Sequence, residues 1–397
     1  PVQVRLTRLL VAGPAPGASI RHELHRSRKS IQIRGLDRAS PVCRRIKRLF
    51  RPGTIACMSS YLAPPVSVVI PVRNEERYLE ESVAGVLNQG YPGPMEIILA
   101  IASSTDRTAE IAQDLAVRDD RIRVIDNPDG TTPKALNLGV AVSQYDIIVR
   151  VDAHGELGPE YIATAVELLE RTGAANVGGI MDAKGRTPFE QAVAVAYTSK
   201  LGLGNSAFHQ GDASEGPAET VFLGVFRKAD LEAVGGFCPE FDRAQDWELN
   251  YRLRQSGREV WFSPNLRVTY RPRSTVKALA KQFFRTGQWR REVMRRHRDS
   301  VSLRYVAAPI AVTGITAGTV LGLIGVVHAA KGTSLKRWPL IGWAAPAGYA
   351  SIIGVGSAAM KRDLDPGVRA RLPLVLAIMH MSWGAGFLVG LGDRAND

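Results

Sequence analysis

At 397 residues the chain exceeds a single small core, and its length implies two or three modules. Its formal charge of +13 is lopsided: residues 1–57 hold 13 Arg and Lys against Glu23 and Asp37, a net of +11, which leaves about +2 for everything after. A basic total invites a nucleic-acid reading, but this excess lies in a stretch without periodicity, aromatic interleaving or a recognisable binding module, so nucleic acid is excluded as the main domain's partner.

Residues 1–60 read as a basic, disordered leader. The alternative is that Met58, just before the first convincing strand, is the biological start and the upstream stretch is not native. The segment RLTRLLVAGPAPGASI is no signal peptide, because prolines break its short apolar patch. Cys43, Cys57 and Cys238 lie far apart without paired spacing. That excludes a disulfide framework and a zinc pattern and suits a reduced, cytosol-facing domain.

Residues 61–274 alternate strands and helices. VSVVIPV (66–72) is apolar and β-branched, hence a buried strand; EERYLEESVAGVLNQG follows as a helix, with Leu79, Val83, Val86 and Leu87 at helical spacing and a stop at Gly90-Tyr91-Pro92. EIILAI (96–101) is the next strand, and SSTDRTAEIAQDLA is a helix opened by Ser104 or Thr105. RIRVID is a strand, TPKALNLGVAVS a helix with Pro133 in its first turn, and DIIVRV a strand. This alternation predicts right-handed crossovers and a mainly parallel sheet, with ligands bound beyond the carboxyl ends of the strands. Polar residues gather at those ends: Arg73-Asn74-Glu75, Ser103 to Asp106, and Asp152-Ala153-His154. Asp152 with His154 reads either as half of a metal site or as a strand end with a polar turn. No Gly-rich dinucleotide fingerprint follows the first strand and no P-loop appears, which removes those two nucleotide-binding modes.

Residues 202–224 read as a mobile, Gly-rich loop before a strand and are the expected seat of acceptor specificity. Asp246 opens the amphipathic stretch WELNYRLRQSG, which ends at Gly257; on residue physics alone it is an N-cap aspartate. Residues 275–304 form a basic amphipathic interfacial segment. Three charge-free runs follow, 305–330, 338–360 and 372–391, each long enough to span a bilayer as a helix. Gly314, Gly318 and Gly322 share one face suited to close packing in lipid. The arginines from Arg285 to Arg304, and Lys361, Arg362, Arg369 and Arg371 after the second run, put both flanks on the cytoplasmic side, although the basic loop KGTSLKR falls outside against that trend.

IPVRNEE, SSTDRT, VDAH and QDWELNYRL, in this order and spacing, resemble family 2 glycosyltransferases over roughly residues 66–300. With DNPDGTTPKALN, ETVFLGVF and the three C-terminal runs, the layout is most similar to the membrane-bound succinoglycan-biosynthesis type. The resemblance implies an α/β catalytic domain of the GT-A fold, Rossmann-like with a mainly parallel sheet, followed by transmembrane helices. It implies a nucleotide-sugar donor, a UDP-sugar first, and a divalent cation, Mn2+ or Mg2+.

Roles follow from the same resemblance. Pro71, Asn74 and Glu75 match the first nucleotide-binding loop, the alternative for Glu75 being a preference for a helix start. Ile101-Ala102-Ser103 stands where the family commonly has an acidic pair that reads uracil, so only Asp106 remains there, to contact the donor or merely to cap a helix. Lys134 meets a phosphate or is simply solvated. Asp152 matches the first acid of the D-x-D-like motif and would anchor donor and cation. His154 stands where a second acid often stands; an imidazole is acceptable to Mn2+ and a poor partner for Mg2+, so it is a ligand or an orienter. Asp246 matches the aspartate of the family's Glu-Asp motif, with Gln245 replacing the glutamate, and would be the general base. One base and one metal-bound leaving group imply single displacement with inversion.

Gln282 and Arg285 match the Q-x-x-R-W signature of related polysaccharide synthases, with Trp289 displaced from its place beside the arginine. An arginine fork suits a diphosphate and a tryptophan a sugar face; the offset favours addition of a single sugar. The alternative is an interfacial anchor with Phe283, Phe284 and Trp289 in lipid headgroups. The expected protein is a membrane-anchored inverting glycosyltransferase, acting on a lipid-linked or polysaccharide acceptor at the cytoplasmic face of the cell (inner) membrane. Two other readings stand beside it: a polyprenyl-phosphate sugar synthase, and a non-catalytic sugar-nucleotide-binding membrane protein.

Overall fold

The computed structural model describes residues 63–203, 208, 213–331, 338–360 and 363–392. The expected leader (1–60), nearly all of the KGTSLKR loop, Lys361 with Arg362, and residues 204–207 and 209–212 of the expected acceptor loop lie outside the described residues. The chain divides into two compact units. The described residues of one are 63–65 and Tyr91–Pro94, in which the Tyr91 hydroxyl donates to the Pro64 carbonyl. The other, Val66–Gly90 with Met95–Asp397, holds all the elements that follow.

Its first half builds the expected alternation: β1 (Val66–Val72), α1 (Leu79–Leu87), β2 (Met95–Ala102), α2 (Thr108–Arg118), β3 (Ile122–Asn127), α3 (Thr132–Val142) and β4 (Ile147–Arg150). After these come β5 (Glu156–Leu157), α4 (Tyr161–Thr172), β6 (Asn176–Ala183), α5 (Pro188–Tyr197), β7 (Gly216–Pro217), β8 (Phe222–Arg227), α6 (Lys228–Ala233), α7 (Gln245–Gln255) and β9 (Val260–Tyr270). All nine strands join one sheet of order β3-β2-β1-β4-β8-β6-β9-β5, with β7 paired to β9. The pairs β3–β2, β2–β1, β1–β4 and β6–β9 are parallel; β8 runs antiparallel between β4 and β6.

Val66, Val68 to Ile70, Ile97 to Leu99 and Val149 are fully buried, because helices cover both faces of the parallel strands. The helix expected from Glu75 begins only at Leu79, since residues 75–78 form a turn in which Tyr78 and Leu79 N–H both donate to the Glu75 carbonyl. Helix α3 lies so close over β1 that a Cβ on Gly139 would stand 2.3 Å from Val69 Cγ1. That approach seats the Thr131-Thr132 turn beside the tip of β1.

Helix α8 (Val276–Arg296) follows β9, capped by the Thr275 hydroxyl accepting from Ala278 N–H at 3.2 Å. Then come α9 (Leu303–Ala330), a 3-10 segment (Trp338–Trp343) running into α10 (Ala344–Ala359), and α11 (Pro366–Val389). Leu303–Ala330, Leu340–Ala359 and Pro366–Val389 are each long and apolar enough to cross a membrane. The third begins six residues before the expected Leu372: the Asp365 carboxylate accepts from Gly367 N–H at 2.7 Å, and Pro366 suits the first helical position. Arg369 and Arg371 are thus helical and not in a loop. Segment 275–304 also departs from a bare interfacial anchor. Phe283 and Leu279 of α8 are buried in one cluster with Leu372, Val375, Leu376 and Met379 of α11, so protein and not lipid covers that face.

Candidate active site

An open cleft lies beyond the carboxyl ends of β1 to β4, the crevice where open α/β sheets hold ligands. Pro71 and Glu75 line it from the β1 loop, Asn127 and Gly130 to Thr132 from the β3 loop, Asp152 and His154 from the β4 loop, and Gln245 from the start of α7. Asn127 Oδ1 and Thr131 Oγ1 are buried here with no protein partner, as befits a wall built for a polar ligand.

The first two loops are zipped together. Asn74 adopts left-handed backbone (φ +53°), tolerable for asparagine, and its Oδ1 accepts from Thr105 N–H at 2.8 Å while its own N–H donates to Ser104 Oγ at 3.1 Å. Asp106 accepts from Thr108 N–H at 3.1 Å and from Glu76 N–H at 3.3 Å; these bonds, that of the Thr108 hydroxyl foremost, hold its carboxyl below the usual range. Asn74 and Asp106 therefore bond the two loops to each other and are not among the cleft-lining residues; Asp106 stands just before Arg107, the N-cap residue of α2. Lys134 also stands outside the lining, paired with Asp129 at 3.0 Å.

The β4 loop turns tightly, with Gly155 N–H donating to the Asp152 carbonyl at 2.7 Å and Ser82 Oγ donating to the carbonyls of Asp152 and Gly155. The turn presents the side chains of Asp152 and His154 to the cleft. His154 Nδ1 lies 2.8 Å from Glu75 Oε1, and this bond, opposed by partial burial and aided by Asp152, raises the imidazole's pKa. A carboxylate on one ring nitrogen is the usual support for a histidine that binds a metal through the other. Among the described residues no three His, Cys, Asp or Glu side chains converge as a metal cage. Asp152 and His154 are an oxygen and an imidazole donor of kinds that divalent cations accept.

Asp246 is the second residue of α7; Ala244, left-handed at φ +59°, takes the N-cap position, so the carboxylate is not spent on capping. It pairs instead with Arg150 Nη1, while Arg150 Nη2 lies 3.1 Å from Asp152 Oδ1. The Arg150 side chain is only 4% exposed. It lies 6.0 Å from the Phe237 ring, whose backbone Asn137 clasps twice, accepting from Phe237 N–H at 2.8 Å and donating to its carbonyl at 2.7 Å. One buried cation thus ties together the two acids expected to matter most. Arg150 was missed in the sequence because it ends an apolar strand and its second partner is 96 residues away. The glutamine at 245 lines the cleft directly.

Gln282, Arg285 and Trp289 do not line the cleft. Gln282 Nε2 donates to the Tyr270 hydroxyl at 3.0 Å, Arg285 is exposed, and Trp289 packs 5.9 Å from Phe241 in an aromatic cluster with Trp247 and Tyr251.

Comparison with known proteins agrees with this architecture. The family model "Glycosyl transferase family 2" matches residues 67–235. The succinoglycan biosynthesis protein ExoA of Rhizobium meliloti (strain 1021) is 32% identical over 324 residues, 81% of this chain and 93% of that protein. A dolichyl N-acetyl-alpha-D-glucosaminyl phosphate 3-beta-D-2,3-diacetamido-2,3-dideoxy-beta-D-glucuronosyltransferase of Methanococcus voltae is 28% identical over 227 residues, 55% of this chain and 70% of that one. Among solved structures, a mannosyltransferase from Pyrobaculum calidifontis in complex with GDP-Man and Mn2+ superposes with a TM-score of 0.50 at 17% identity, covering 86% of this chain and 96% of that one.

Proposed function

This chain belongs to the family 2 glycosyltransferases, with a GT-A-like catalytic domain, and on that premise we propose that it is a membrane-anchored inverting enzyme. It moves a sugar from a nucleotide-sugar donor to a lipid-linked or polysaccharide acceptor at the cytoplasmic face. The observation that carries this reading is buried Arg150, which lines the strand-end cleft with Asp152 and pairs at its other nitrogen with Asp246, the neighbour of the lining residue Gln245.

The cleft receives the nucleotide between the β1 and β3 loops, where Asn127 and Thr131 hold unused polar atoms. Asp152 and His154 would hold a divalent cation, which neutralises the charge growing on the departing diphosphate. Asp246 takes the proton of the acceptor hydroxyl, and its oxygen attacks the anomeric carbon from the side opposite the diphosphate, which inverts that centre. Arg150 keeps Asp246 in place and holds it beside Asp152. The same-fold mannosyltransferase carries Mn2+ with GDP-Man, and the Methanococcus relative is named for a dolichyl-phosphate-linked acceptor; both support this donor and acceptor chemistry. The succinoglycan relative supports a place in polysaccharide synthesis.

Membranes carrying the full chain, incubated with labelled sugar nucleotides, UDP-sugars first and GDP-mannose beside them, test the reading through the labelled product. Label on a diphosphoryl-linked oligosaccharide or on polysaccharide is expected, with activity lost in chelator and restored by Mn2+ at least as well as by Mg2+. Label on a monophosphoryl lipid would make the enzyme a polyprenyl-phosphate sugar synthase. Full activity in chelator would remove the cation.

A further inference from the structure

The geometry points to a membrane topology in which α11 does not cross the bilayer but lies along its surface, as the floor between the catalytic domain and the lipid. The chain then crosses the membrane twice, through α9 and α10. The partner of α11's outer face is the boundary between headgroups and hydrocarbon.

The contacts of α11 run along its whole length and come chiefly from the catalytic side, with α9 touching it at Gly384 and α10 at His380. It first follows α5 and the residues just after that helix: a Cβ on Gly367 would stand 3.8 Å from Pro188, and further along His380 Nε2 lies 2.7 Å from the Leu201 carbonyl. Its second half follows α8. Trp383 packs on Phe283 with ring centroids 6.5 Å apart, a Cβ on Gly386 would meet the Phe284 carbonyl at 1.9 Å, and Gln288 Nε2 donates to the Gly390 carbonyl at 2.6 Å. The partners ascend together in both stretches, so α11 is parallel first to α5 and then to α8.

Helix α8 cannot enter hydrocarbon. Eight of its 21 residues are charged, from Lys277 to Arg296, and each charge at mid-bilayer costs about 2.5–3.5 kcal/mol. A helix standing across the membrane would touch the catalytic domain at one end only. Crossing by α11 would drag α8 in beside it.

The other two helices behave differently. The first turns of α9 meet α8 and α11, with Tyr305 under Arg290 at 4.1 Å and Ala308 and Val312 against Gly384 of α11. The last turns of α10 return to it, where a Cβ on Gly356 would stand 2.6 Å from Leu201. Between these ends α9 packs on the 3-10 segment, Gly318 facing Gly342. That is a hairpin leaving the domain and coming back. On α11 the exposed residues include Leu374, Leu388 and Val389 beside Ala370 and Arg371, the face an in-plane helix would turn to the headgroup boundary.

Single-cysteine forms of the full chain, with Cys43, Cys57 and Cys238 replaced by serine, test this in sealed vesicles of both orientations with a membrane-impermeant maleimide. Val117→Cys marks the catalytic side, Ser334→Cys the stretch of sequence between α9 and the 3-10 segment, and Gly392→Cys the residues just after α11. The expected result is that Gly392→Cys labels in the same vesicles as Val117→Cys, and Ser334→Cys in the opposite ones. Labelling of Gly392→Cys and Val117→Cys from opposite faces would overturn the proposal, as would labelling of Ser334→Cys on the catalytic side. A reporter fused after the last residue gives a second reading of the same face should a cysteine variant fail to insert.

Discussion

Arg150 shows what a single side chain does in this site. A guanidinium that is 4% exposed is tolerated only because two carboxylates compensate it. Removing it leaves Asp152 and Asp246 facing each other without a counter-charge. Arg150→Ala is expected to lower kcat at saturating donor by about a hundredfold or more, a loss of roughly 3 kcal/mol in the transition state, with donor affinity changed far less. Arg150→Lys restores the charge without the fork and should fall between them. A loss confined to donor affinity would instead make Arg150 a ligand of the diphosphate. The strand-end acids were legible in the sequence because an acid after an apolar run has few structural duties. Arg150 was not, since a buried arginine takes its meaning from partners that only the fold brings near. Asn74 and Asp106 illustrate the reverse: their positions were legible, but their bonds to the neighbouring loop are tertiary and left no mark in local sequence.

At the scale of elements, β1 to β4 were readable as buried runs flanked by helical periods. The two-residue strands β5 and β7 and the antiparallel insertion of β8 were not, because pairing with β9 or β4 and not local pattern defines them. The joint between α8 and α11 was hidden for a similar reason: its glycines matter only through the carbonyls they approach. Gly386→Leu is expected to force α8 and α11 apart, since even a Cβ would lie 1.9 Å from the Phe284 carbonyl. Overpacking of this kind costs about 1–3 kcal/mol, read as a lower unfolding temperature of the detergent-solubilised protein. Gly348→Leu on α10, where a Cβ meets nothing within 4 Å, is the control that should leave it unchanged.

For the whole molecule, the catalytic sheet, α8 and α11 form a single packed body, and the hairpin of α9 and α10 fixes that body to the membrane. The arginines of α8 gather on one side of this joint: Arg291 donates to the Leu388 carbonyl at 2.6 Å at the end of α11, and Arg290 stacks between Trp247 and Tyr305. Trp247 follows Asp246 directly, so the helix carrying Asp246 is braced against the start of α9. That bracing suits an acceptor presented from the lipid surface. The account rests on Asp246 as the base that completes transfer. Sugar transfer by Asp246→Asn, measured beside nucleotide binding by the same purified full-length protein, tests it most directly. Transfer is expected to fall by about a thousandfold or more, roughly 4 kcal/mol, while the nucleotide still binds; turnover at the wild-type rate would rule Asp246 out as the base.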